Sequence, residues 1–393
     1  MDFHSFDMLD RYEGIRAVTA EELTERWRRL SGMMALENYG ALVFPDPSAE
    51  GLNLWLTGER GQSMLLFYGD ALDALYAQDV PAQMPAHPAI RRDARPDMAR
   101  LRQALAGKGR LGLVFAEGLT LDARDALRQW APDAEWRDAS LPFSRVKGRK
   151  TPFERALIGE TARMIQKVFE AFPSICREGR LYKDICDELQ YMIASLGSDG
   201  EYMIAMLHVF DHDGRSLTPL IETTPGMRAG QGHQIALLVE TNGPGGYYSV
   251  LGRVFSFGTP SESFARMYEV ARQANHLAGQ MMRPGATPRA IADAVNAYIR
   301  ACGYTTDNCC FMHSLGCNMG ESPALGDYSH GALPSPTEND PLEAGMQLHC
   351  HPHVGFADRY TSRSEAVRVI NMYIVSERGG IRLDTLSEEI VLL

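Results

Sequence analysis

Three histidines alternate with other residues in one short segment near the end of the chain. They are His349, His351 and His353, in the run Leu-His-Cys-His-Pro-His. Because successive side chains of an extended strand point to opposite faces, all three imidazoles would lie on one face. Imidazole transfers protons and binds metal ions near neutral pH, so this spacing predicts a catalytic or metal-binding strand. Histidines that satisfy a polar core or lie on the surface are the alternative.

Three residues elsewhere in the chain carry similar chemistry. His313 is followed by Ser-Leu-Gly, and Glu240 ends the apolar run Ile-Ala-Leu-Leu-Val. Together with His351 they offer two imidazoles and one carboxylate, which can serve acid–base catalysis or bind one ion. His212 lies in the polar stretch 208–213, beside an Asp-Gly turn signal, where it could transfer a proton. A solvated loop is an equally consistent interpretation of that stretch.

The first part of the chain predicts an α/β domain. Thr19 and Glu22 form a capping-box pattern that begins a helix with an apolar face. Three short apolar runs follow, separated by Pro, Gly and Asp, at residues 41–44, 53–58 and 63–68. A helix followed by such runs is typical of an α/β fold.

A second helix start marks a boundary between two domains. Residues 140–150 are rich in Pro, Lys and Arg, and Thr151 and Glu154 then form another capping box with Pro152 at the first helical position. A chain of 393 residues is too long for one ordinary core. We therefore predict one domain over residues 1–150 and a second over residues 151–393.

The second domain contains an internal repeat. Residues 179–197 match residues 285–303 at a constant offset of about 106 residues. The matched pairs are Gly179 with Gly285, Lys183 with Arg289, Ile185 with Ile291, Asp187 with Asp293, Leu189 with Val295, Ile193 with Ile299 and Gly197 with Gly303. Strand-like segments follow at 201–210 and 233–241 in the first copy, and at 308–315 and 346–354 in the second. Two such halves would pack about a pseudo-twofold axis, with a site where they meet.

Composition and charge exclude several classes of function. The formal net charge is -11, whereas proteins that bind nucleic acid present clustered Lys and Arg. No apolar run is long enough to span a bilayer, and the first ten residues do not resemble a secretory signal. The seven cysteines lack paired spacing, which favours the reducing cytosol. We expect a soluble cytoplasmic protein that acts on small molecules and binds neither nucleic acid nor membrane.

Three motifs resemble those of a known superfamily. They are Gly-Tyr-Tyr-Ser-Val-Leu-Gly-Arg at 246–253, Met-His-Ser-Leu-Gly at 312–316, and Leu-Glu-Ala-Gly-Met at 342–346, which His351 and Pro352 follow. The chain thus resembles the pita-bread superfamily of creatinase, aminopeptidase P and methionine aminopeptidase, and its motifs are most similar to those of creatinase. The resemblance implies an α/β (α+β) fold, with a creatinase-type N-terminal α/β domain followed by a pita-bread domain that has an internal pseudo-twofold repeat.

The resemblance also implies where metal ligands would lie. Metalloenzymes of the superfamily bind two divalent ions with two Asp, one His and two Glu. The corresponding residues here are Val239 or its neighbour Glu240, then Val250, His313, His351 and Ile370. Valine and isoleucine have no donor atoms, so we expect no dinuclear site. A single ion, such as Fe, Mn or Zn, would be bound by Glu240, His313 and His351.

A substrate carboxylate would be bound by arginine in this family. Arg60 lies where creatinase-like enzymes present an arginine from the N-terminal domain of the partner subunit, which implies a homodimer. Guanidinium groups suit this task because they bind carboxylates through two parallel hydrogen bonds. Arg363 and Arg368, near the last strand, are further candidates. Tyr248 is adjacent to Tyr247, and in a strand only one of the two would face a pocket.

Creatinase has this fold without a metal. The resemblance therefore implies a metal-independent or mono-metal hydrolase that cleaves a C–N bond in a small, carboxylate-bearing nitrogenous substrate. The catalytic residues would be His313, His351, Glu240 and His212. The substrate-binding residues would be Arg60, Tyr248, His349 and Arg363. Creatine itself is not expected, because the proton-transferring histidine of creatinase corresponds to Leu217.

Other functions stay open at this point. A mononuclear metal enzyme, redox-active or a lyase, would use two histidines and one carboxylate, the ligand set of non-heme iron facial triads. An Xaa-Pro peptidase-like protein is also consistent with the superfamily. An inactive scaffold is the third alternative, although it would have no reason to retain a histidine-rich strand.

Overall fold

The computed structural model describes most of the chain, which forms two compact units. The described residues are 18–46, 50–61, 63–77, 79–95, 97–116, 119–198, 203–217, 226–243, 245–306, 310–325, 337–358 and 365–393. One unit spans Arg11–Lys147, and the other runs from Gly148 to Leu393. None of the helices within these ranges is long and apolar enough to cross a membrane.

The N-terminal unit contains a six-stranded mixed sheet. Its elements are α1 (Ala20–Glu37), β1 (Ala41–Phe44), α2 (Glu50–Thr57), β2 (Ser63–Phe67), β3 (Leu72–Tyr76), β4 (Ile90–Ala94), α3 (Met98–Leu105), β5 (Arg110–Leu113), α4 (Leu121–Trp130), β6 (Glu135–Asp138) and the helix α5 (Ser140–Gly148), which ends at the unit boundary. The strand order is β4-β3-β2-β1-β5-β6. Thr19 begins α1 as predicted, since its side chain accepts a hydrogen bond from the backbone N–H of Glu22.

One apolar run of this unit differs from the sequence expectation. Residues 53–58 fit the series of short apolar runs, but residues 53–57 lie in the helix α2, and residues 51–57 are all buried. A short apolar run that is buried on all sides has no periodicity that distinguishes a helix from a strand. Asn53 is consistent with the helix, because its backbone oxygen accepts a hydrogen bond from the Thr57 hydroxyl four residues later.

The C-terminal unit contains two sheets, each covered by a pair of helices. Its elements are α6 (Pro152–Ile175), α7 (Tyr182–Ser195), β7 (Met203–Phe210), β8 (Gln234–Asn242), β9 (Tyr248–Ser256), α8 (Glu262–Met281), α9 (Pro288–Ala301), β10 (Cys310–Ser314), β11 (Glu321–Leu325), β12 (Gln347–Pro352), β13 (Asn371–Ile374), β14 (Ile381–Arg382) and β15 (Val391–Leu392). The first sheet has the order β15-β9-β8-β7, and the second has the order β11-β10-β12-β13-β14. The predicted capping box at Thr151 and Glu154 begins α6.

The internal repeat is confirmed by the structure. The two matched helices are α7 and α9, and each repeat contributes strands at the predicted positions. The four matched glycines, Gly179, Gly197, Gly285 and Gly303, all have positive φ. Residues with a side chain rarely adopt this backbone conformation, so glycine at both ends of each helix follows from the turn geometry.

Each sheet packs one face against its own helix pair. In the first half, Leu207, Leu237 and Leu251 pack with residues of α6 and α7. In the second half, Leu348 and Cys350 pack with residues of α8 and α9. Alternation along the strands turns the intervening side chains to the opposite face of each sheet. Those two inner faces position the candidate site.

Candidate active site

Three buried histidines meet on the inner face of the second sheet. His313 on β10 lies directly opposite His349 on β12, with ring centroids 3.7 Å apart. His351, two residues along β12, stacks on His349 at 5.0 Å. One ring nitrogen from each of the three lies within 4.8 Å of the others. We refer to His313, His349 and His351 as the histidine cluster.

Strand alternation explains why the cluster faces the first sheet. Leu348 and Cys350 occupy the other face of β12 and pack against α8 and α9. On the cluster's face, Met372 of β13 pairs with His349, and its Sδ accepts a hydrogen bond of 3.2 Å from the backbone N–H of Val250 on β9. The face that carries the histidines is therefore the face that meets the other half of the repeat.

Hydrogen bonds position His313 within the cluster. Its Nδ1 lies 2.9 Å from the backbone oxygen of Ser314, which can only accept, so Nδ1 carries the proton and Nε2 carries the lone pair. The Gln347 side-chain oxygen accepts a hydrogen bond of 2.7 Å from the backbone N–H of Leu315 and so fixes this segment. The pairing of β10 with β11 shifts register between His313 and Ser314.

Burial keeps the imidazoles of the cluster neutral. Loss of hydration lowers the pKa of His349 to about 3, and it lowers the pKa values of His313 and His351 well below the ordinary value. The neighbouring histidines act in the same direction on His313 and His351, because a second positive charge at this distance is unfavourable. At neutral pH the cluster is therefore uncharged, and its ring nitrogens offer lone pairs that can bind a cation or accept a hydrogen bond.

A buried arginine lies beside the cluster. His353 continues the line of imidazoles, 5.4 Å from His351, and the Nη1 of Arg368 lies 3.1 Å from its Nε2. Since a guanidinium only donates, Nε2 of His353 accepts this hydrogen bond. Both side chains are buried. The site therefore combines neutral imidazoles with one fixed positive charge.

A small cavity lies next to Arg368 between the two halves. Its lining includes Met206, His208 and Leu238 from the first sheet and Arg368 and Ile370 from the segment before β13. Burial lowers the pKa of His208 to about 3, and its Nε2 lies 2.7 Å from the Ser216 hydroxyl. His208 is thus a neutral hydrogen-bonding group in the wall of the cavity.

Glu240 is the acidic residue on the inner face of the first sheet. It pairs with Val250 on β9, whereas its neighbour Val239 packs in the core against the helices. Of the two residues that the sequence left open, Glu240 is thus the one on the inner face, and its role in a site stays a prediction. Its Oε1 is shielded from solvent and has no hydrogen-bond partner among the described residues. Burial raises the pKa of this carboxyl to about 8, so it is protonated at neutral pH.

The ligand set expected for a single ion is not the set that the structure brings together. Among the described residues, His313 and His351 form a potential metal site with His349, and Glu240 is not part of that group. The reason is the register of β12: His349 lies directly opposite His313, and Glu240 belongs to the other sheet. The sequence had assigned His349 to substrate binding.

Apolar side chains occupy two further positions, Val250 and Ile370, which the resemblance to the superfamily had matched with carboxylate ligands. Val250 and Ile370 are both buried. Gly252 and Ile370 face each other so closely that a Cβ at Gly252 would lie 2.8 Å from the Ile370 side chain. The two residues also exchange backbone hydrogen bonds of 3.2 Å in both directions, which join the two sheets. This region therefore packs like a core.

The remaining predicted site residues lie in different places. Tyr248 is buried at the start of β9, and its backbone N–H donates to the Gly316 oxygen at 2.7 Å. His212 is exposed on the turn after β7, so the structure does not bring it to the cavity that His208 lines. Arg60 belongs to the N-terminal unit, where it follows α2. Arg363 lies outside the described residues.

Three contributors were not singled out from the sequence. His208 and Gln347 lie within strands, and only the alternation of β7 and β12 could have placed them. Asn275 lies in the middle of α8, where its amide donates to the backbone oxygens of Cys350 and Val369 at 2.7 and 2.9 Å. An asparagine on the apolar face of a helix was the available signal, because a buried amide requires partners.

This duplicated architecture, with polar groups on facing sheets, defines a pita-bread enzyme domain. Residues 156–377 match the metallopeptidase family M24, which covers more than half of the chain, and the chain belongs to that family. An uncharacterized peptidase of Staphylococcus epidermidis is 24% identical over 267 residues, which is 68% of this chain and 71% of that protein. A corresponding protein of Staphylococcus saprophyticus is 24% identical over 272 residues, with the same coverage of both chains. Family and relatives together support a peptidase-like hydrolase.

Solved structures confirm the expected fold. The prolidase from Pyrococcus horikoshii superposes with a TM-score of 0.75 at 17% identity, over 93% of this chain and 100% of that chain. The Xaa-Pro dipeptidase from Bacillus anthracis gives a TM-score of 0.75 at 18% identity, over 95% of this chain and 100% of that chain. At such identities the similarity concerns the fold alone.

Proposed function

We propose that this protein hydrolyses a C–N bond in a small, carboxylate-bearing nitrogenous substrate at the histidine cluster. The carrying observation is that three buried, neutral imidazoles converge on the inner face of a hydrolase fold. Burying an imidazole costs free energy, because the ring loses hydration and its nitrogens need hydrogen-bond partners. Such a cost is seldom retained without a function. This cluster therefore favours a working site over an inactive scaffold.

Two groups with opposite proton preferences support acid–base hydrolysis. His313 carries a lone pair on Nε2 and can accept a proton from the attacking water. Glu240 holds a proton at neutral pH, because its pKa is raised to about 8, and it can deliver that proton to the leaving nitrogen. The water oxygen then bonds to the substrate carbon as the C–N bond breaks, and both residues regain their starting state by proton exchange with solvent.

Arg368 is our first candidate for binding the substrate carboxylate. It is buried, it lines the cavity, and its guanidinium lies beside the imidazole line. Arg60 and Arg363 stay candidates on the resemblance to creatinase, as does Tyr248. We propose His351 and His349 as groups that hold the reacting part of the substrate near His313. His212 is not retained in this proposal, since it is exposed on a turn.

The proposal does not include the dinuclear centre of the metallopeptidases. Such a centre needs carboxylates that neutralise and bridge two ions. Of the inner positions considered, Val250 and Ile370 are apolar and packed, and Glu240 is a single carboxyl whose environment favours its neutral form. These residues do not fit two divalent ions.

An assay panel separates this proposal from Xaa-Pro peptidase activity. Protein purified without chelator would be tested on N-acyl, N-carbamoyl and N-amidino amino acids, and on Xaa-Pro dipeptides with and without added Mn²⁺. We expect hydrolysis within the first group, and no activation by Mn²⁺ on the dipeptides. Hydrolysis of Xaa-Pro dipeptides alone, dependent on two bound Mn²⁺, would overturn the proposal.

The oligomeric state and the cellular location are separate proposals. The resemblance implies a homodimer in which the partner subunit supplies Arg60, and light scattering would measure the mass. A monomer with full activity would contradict that part alone. A cytoplasmic location is likewise a prediction, which fractionation of the source cells would test.

A further inference from the structure

We infer that His313, His349 and His351 form a binding site for one divalent transition-metal ion. This inference rests on the proposed position of the reaction, and it goes further by naming a cofactor and its three ligands. In the metal-bound form Nε2 of His313 would bind the ion, so the bound ion would replace His313 in activating the water. It differs from the ligand set predicted from the sequence, which contained Glu240. It also differs from the two-ion, carboxylate-rich centre implied by the family.

The spacing of the ring nitrogens suits a single ion. One nitrogen from each imidazole lies within 4.8 Å of the others. Metal–nitrogen bonds of about 2.1 Å in tetrahedral geometry require nitrogens roughly 3.4 Å apart. The rings would therefore have to move closer by little more than about 1 Å, which side-chain rotation supplies without a backbone shift.

The supporting contacts resemble those around metal-binding histidines. His313 donates its Nδ1 proton to the Ser314 backbone oxygen, which directs the Nε2 lone pair away from that contact. A hydrogen bond from the second ring nitrogen is the usual way in which proteins orient a ligating imidazole. Gln347 fixes the same segment through the Leu315 N–H, and Asn275 fixes the backbone of β12 at Cys350. All three ligands thus lie on paired strands with defined positions.

The donor set predicts which ions bind. Three imidazole nitrogens without a carboxylate suit Zn²⁺, Co²⁺, Ni²⁺ and Cu²⁺, whereas Mn²⁺ and Mg²⁺ prefer oxygen ligands. Three protein ligands also leave a coordination position for water or substrate, as in catalytic zinc sites. An ion in such a site polarises a bound carbonyl and lowers the pKa of a bound water.

The charges around the site favour an anionic fourth ligand. Imidazole ligands carry no negative charge, so they do not offset the charge of a dication, and the guanidinium of Arg368 lies 3.1 Å from His353, two residues after His351. Positive charges at this density attract an anion. An ion held by these three histidines would therefore favour an anionic group of the substrate at its open coordination position.

The test measures metal binding without reference to turnover. Metal-stripped protein would be dialysed against Zn²⁺, Co²⁺ or Mn²⁺ alone, and bound metal counted by plasma mass spectrometry. We expect one equivalent of Zn²⁺ or Co²⁺, no stoichiometric Mn²⁺, and a visible absorption band of Co²⁺ in a low-symmetry site. No binding, two equivalents, or a preference for Mn²⁺ would overturn the inference.

Variants assign the binding to the cluster. His349→Asn keeps a polar side chain and should weaken Zn²⁺ at least about tenfold, and His349→Ala should do the same. His212→Ala removes an exposed histidine and should bind like the unchanged protein. Circular dichroism and the Tm of the metal-free forms show which variants fold. Unchanged affinity in a folded His349→Asn protein would also contradict the site.

The outcomes separate this inference from the proposed function. If the protein hydrolyses the panel substrates at the cluster but binds no metal, the proposed function holds and the inferred metal site is wrong. If it binds one Zn²⁺ through His349 but hydrolyses no C–N substrate, the metal site holds and the proposed function is wrong.

Discussion

His313 lies directly opposite His349 in the antiparallel pair of β10 and β12, and their ring centroids are only 3.7 Å apart. Residues paired in this way share one face of the sheet, so the register of the two strands holds the two imidazoles next to each other. The pairing therefore brings the proposed proton acceptor, His313, into contact with a second imidazole of the site.

Replacing His313 by Ala should abolish most turnover of the substrate. The change removes the proposed proton acceptor, and general-base groups contribute about 10²–10⁴-fold to the rate. The free energy of unfolding should fall by about 0.5–3 kcal/mol, because a buried side chain and one hydrogen bond are lost. Steady-state kinetics and chemical denaturation measure both quantities. His212→Ala, on the exposed turn, is the matched control, and full activity in folded His313→Ala protein would contradict the role.

Replacing Glu240 by Gln should remove a pH dependence of stability. The folded-state pKa is raised from 4.5 to about 8, so the folded protein binds more protons than the unfolded chain between these values. The carboxyl thus stabilises the fold fully below about 4.5, and this advantage falls as pH rises towards 8. Glutamine stays neutral throughout, so the variant should gain stability relative to the parent as pH increases. Urea midpoints from pH 5 to 9 test this, and parallel curves for both proteins would refute it.

Replacing Arg368 by Met should weaken binding of the carboxylate more than it slows the chemistry. A hydrogen bond to a charged group is worth about 1.5–3 kcal/mol, so KM should rise at least about tenfold. The loss should vanish for a substrate whose carboxylate is converted to an amide, because no charge then remains to bind. Arg283→Met, at an exposed position, is the control. An equal loss for acid and amide substrates would show that Arg368 acts through structure alone.

Replacing Gly252 by Ala should destabilise the protein through a clash with Ile370. The new Cβ would lie 2.8 Å from the Ile370 side chain, and overpacking of this kind costs about 1–3 kcal/mol. Ile370→Ala removes the contacted atoms, so the double variant should lose less stability than the sum of the single variants. Thermal and urea unfolding of the four proteins measure this coupling. Strict additivity would show that the close approach carries no strain.

The sequence was sufficient for the fold but only partly for the site. The repeat was visible because Gly179 and Gly285, like Gly197 and Gly303, end segments of the same pattern, and turn geometry demands glycine there. His313 and His351 could be found by resemblance. Their grouping with His349 depends on the register between β10 and β12, which pairs residues distant in the chain. No local pattern specifies that register.

Two other predictions differ from the structure because local sequence patterns do not specify strand ends or distinguish short buried elements. His208 and His212 are both histidines in one polar stretch, and the turn signal beside His212 favoured that residue. In the structure β7 continues to Phe210, which places His208 within the strand and on the cavity face. Residues 53–57 form a helix that the sequence did not predict, because a fully buried apolar run has no hydrophobic periodicity that distinguishes a helix from a strand.

The reciprocal backbone hydrogen bonds between Gly252 and Ile370 have a consequence for how this scaffold can change. They help to set the distance between the two sheets through main-chain atoms, together with the Ile370 side chain that packs against Gly252. Glu240 lies on the inner face of one of these sheets, and the histidine cluster lies on the inner face of the other. Substitutions on the inner face of either sheet can therefore alter the chemistry while the spacing between the sheets stays the same. In this way a peptidase fold can accommodate a site built from imidazoles.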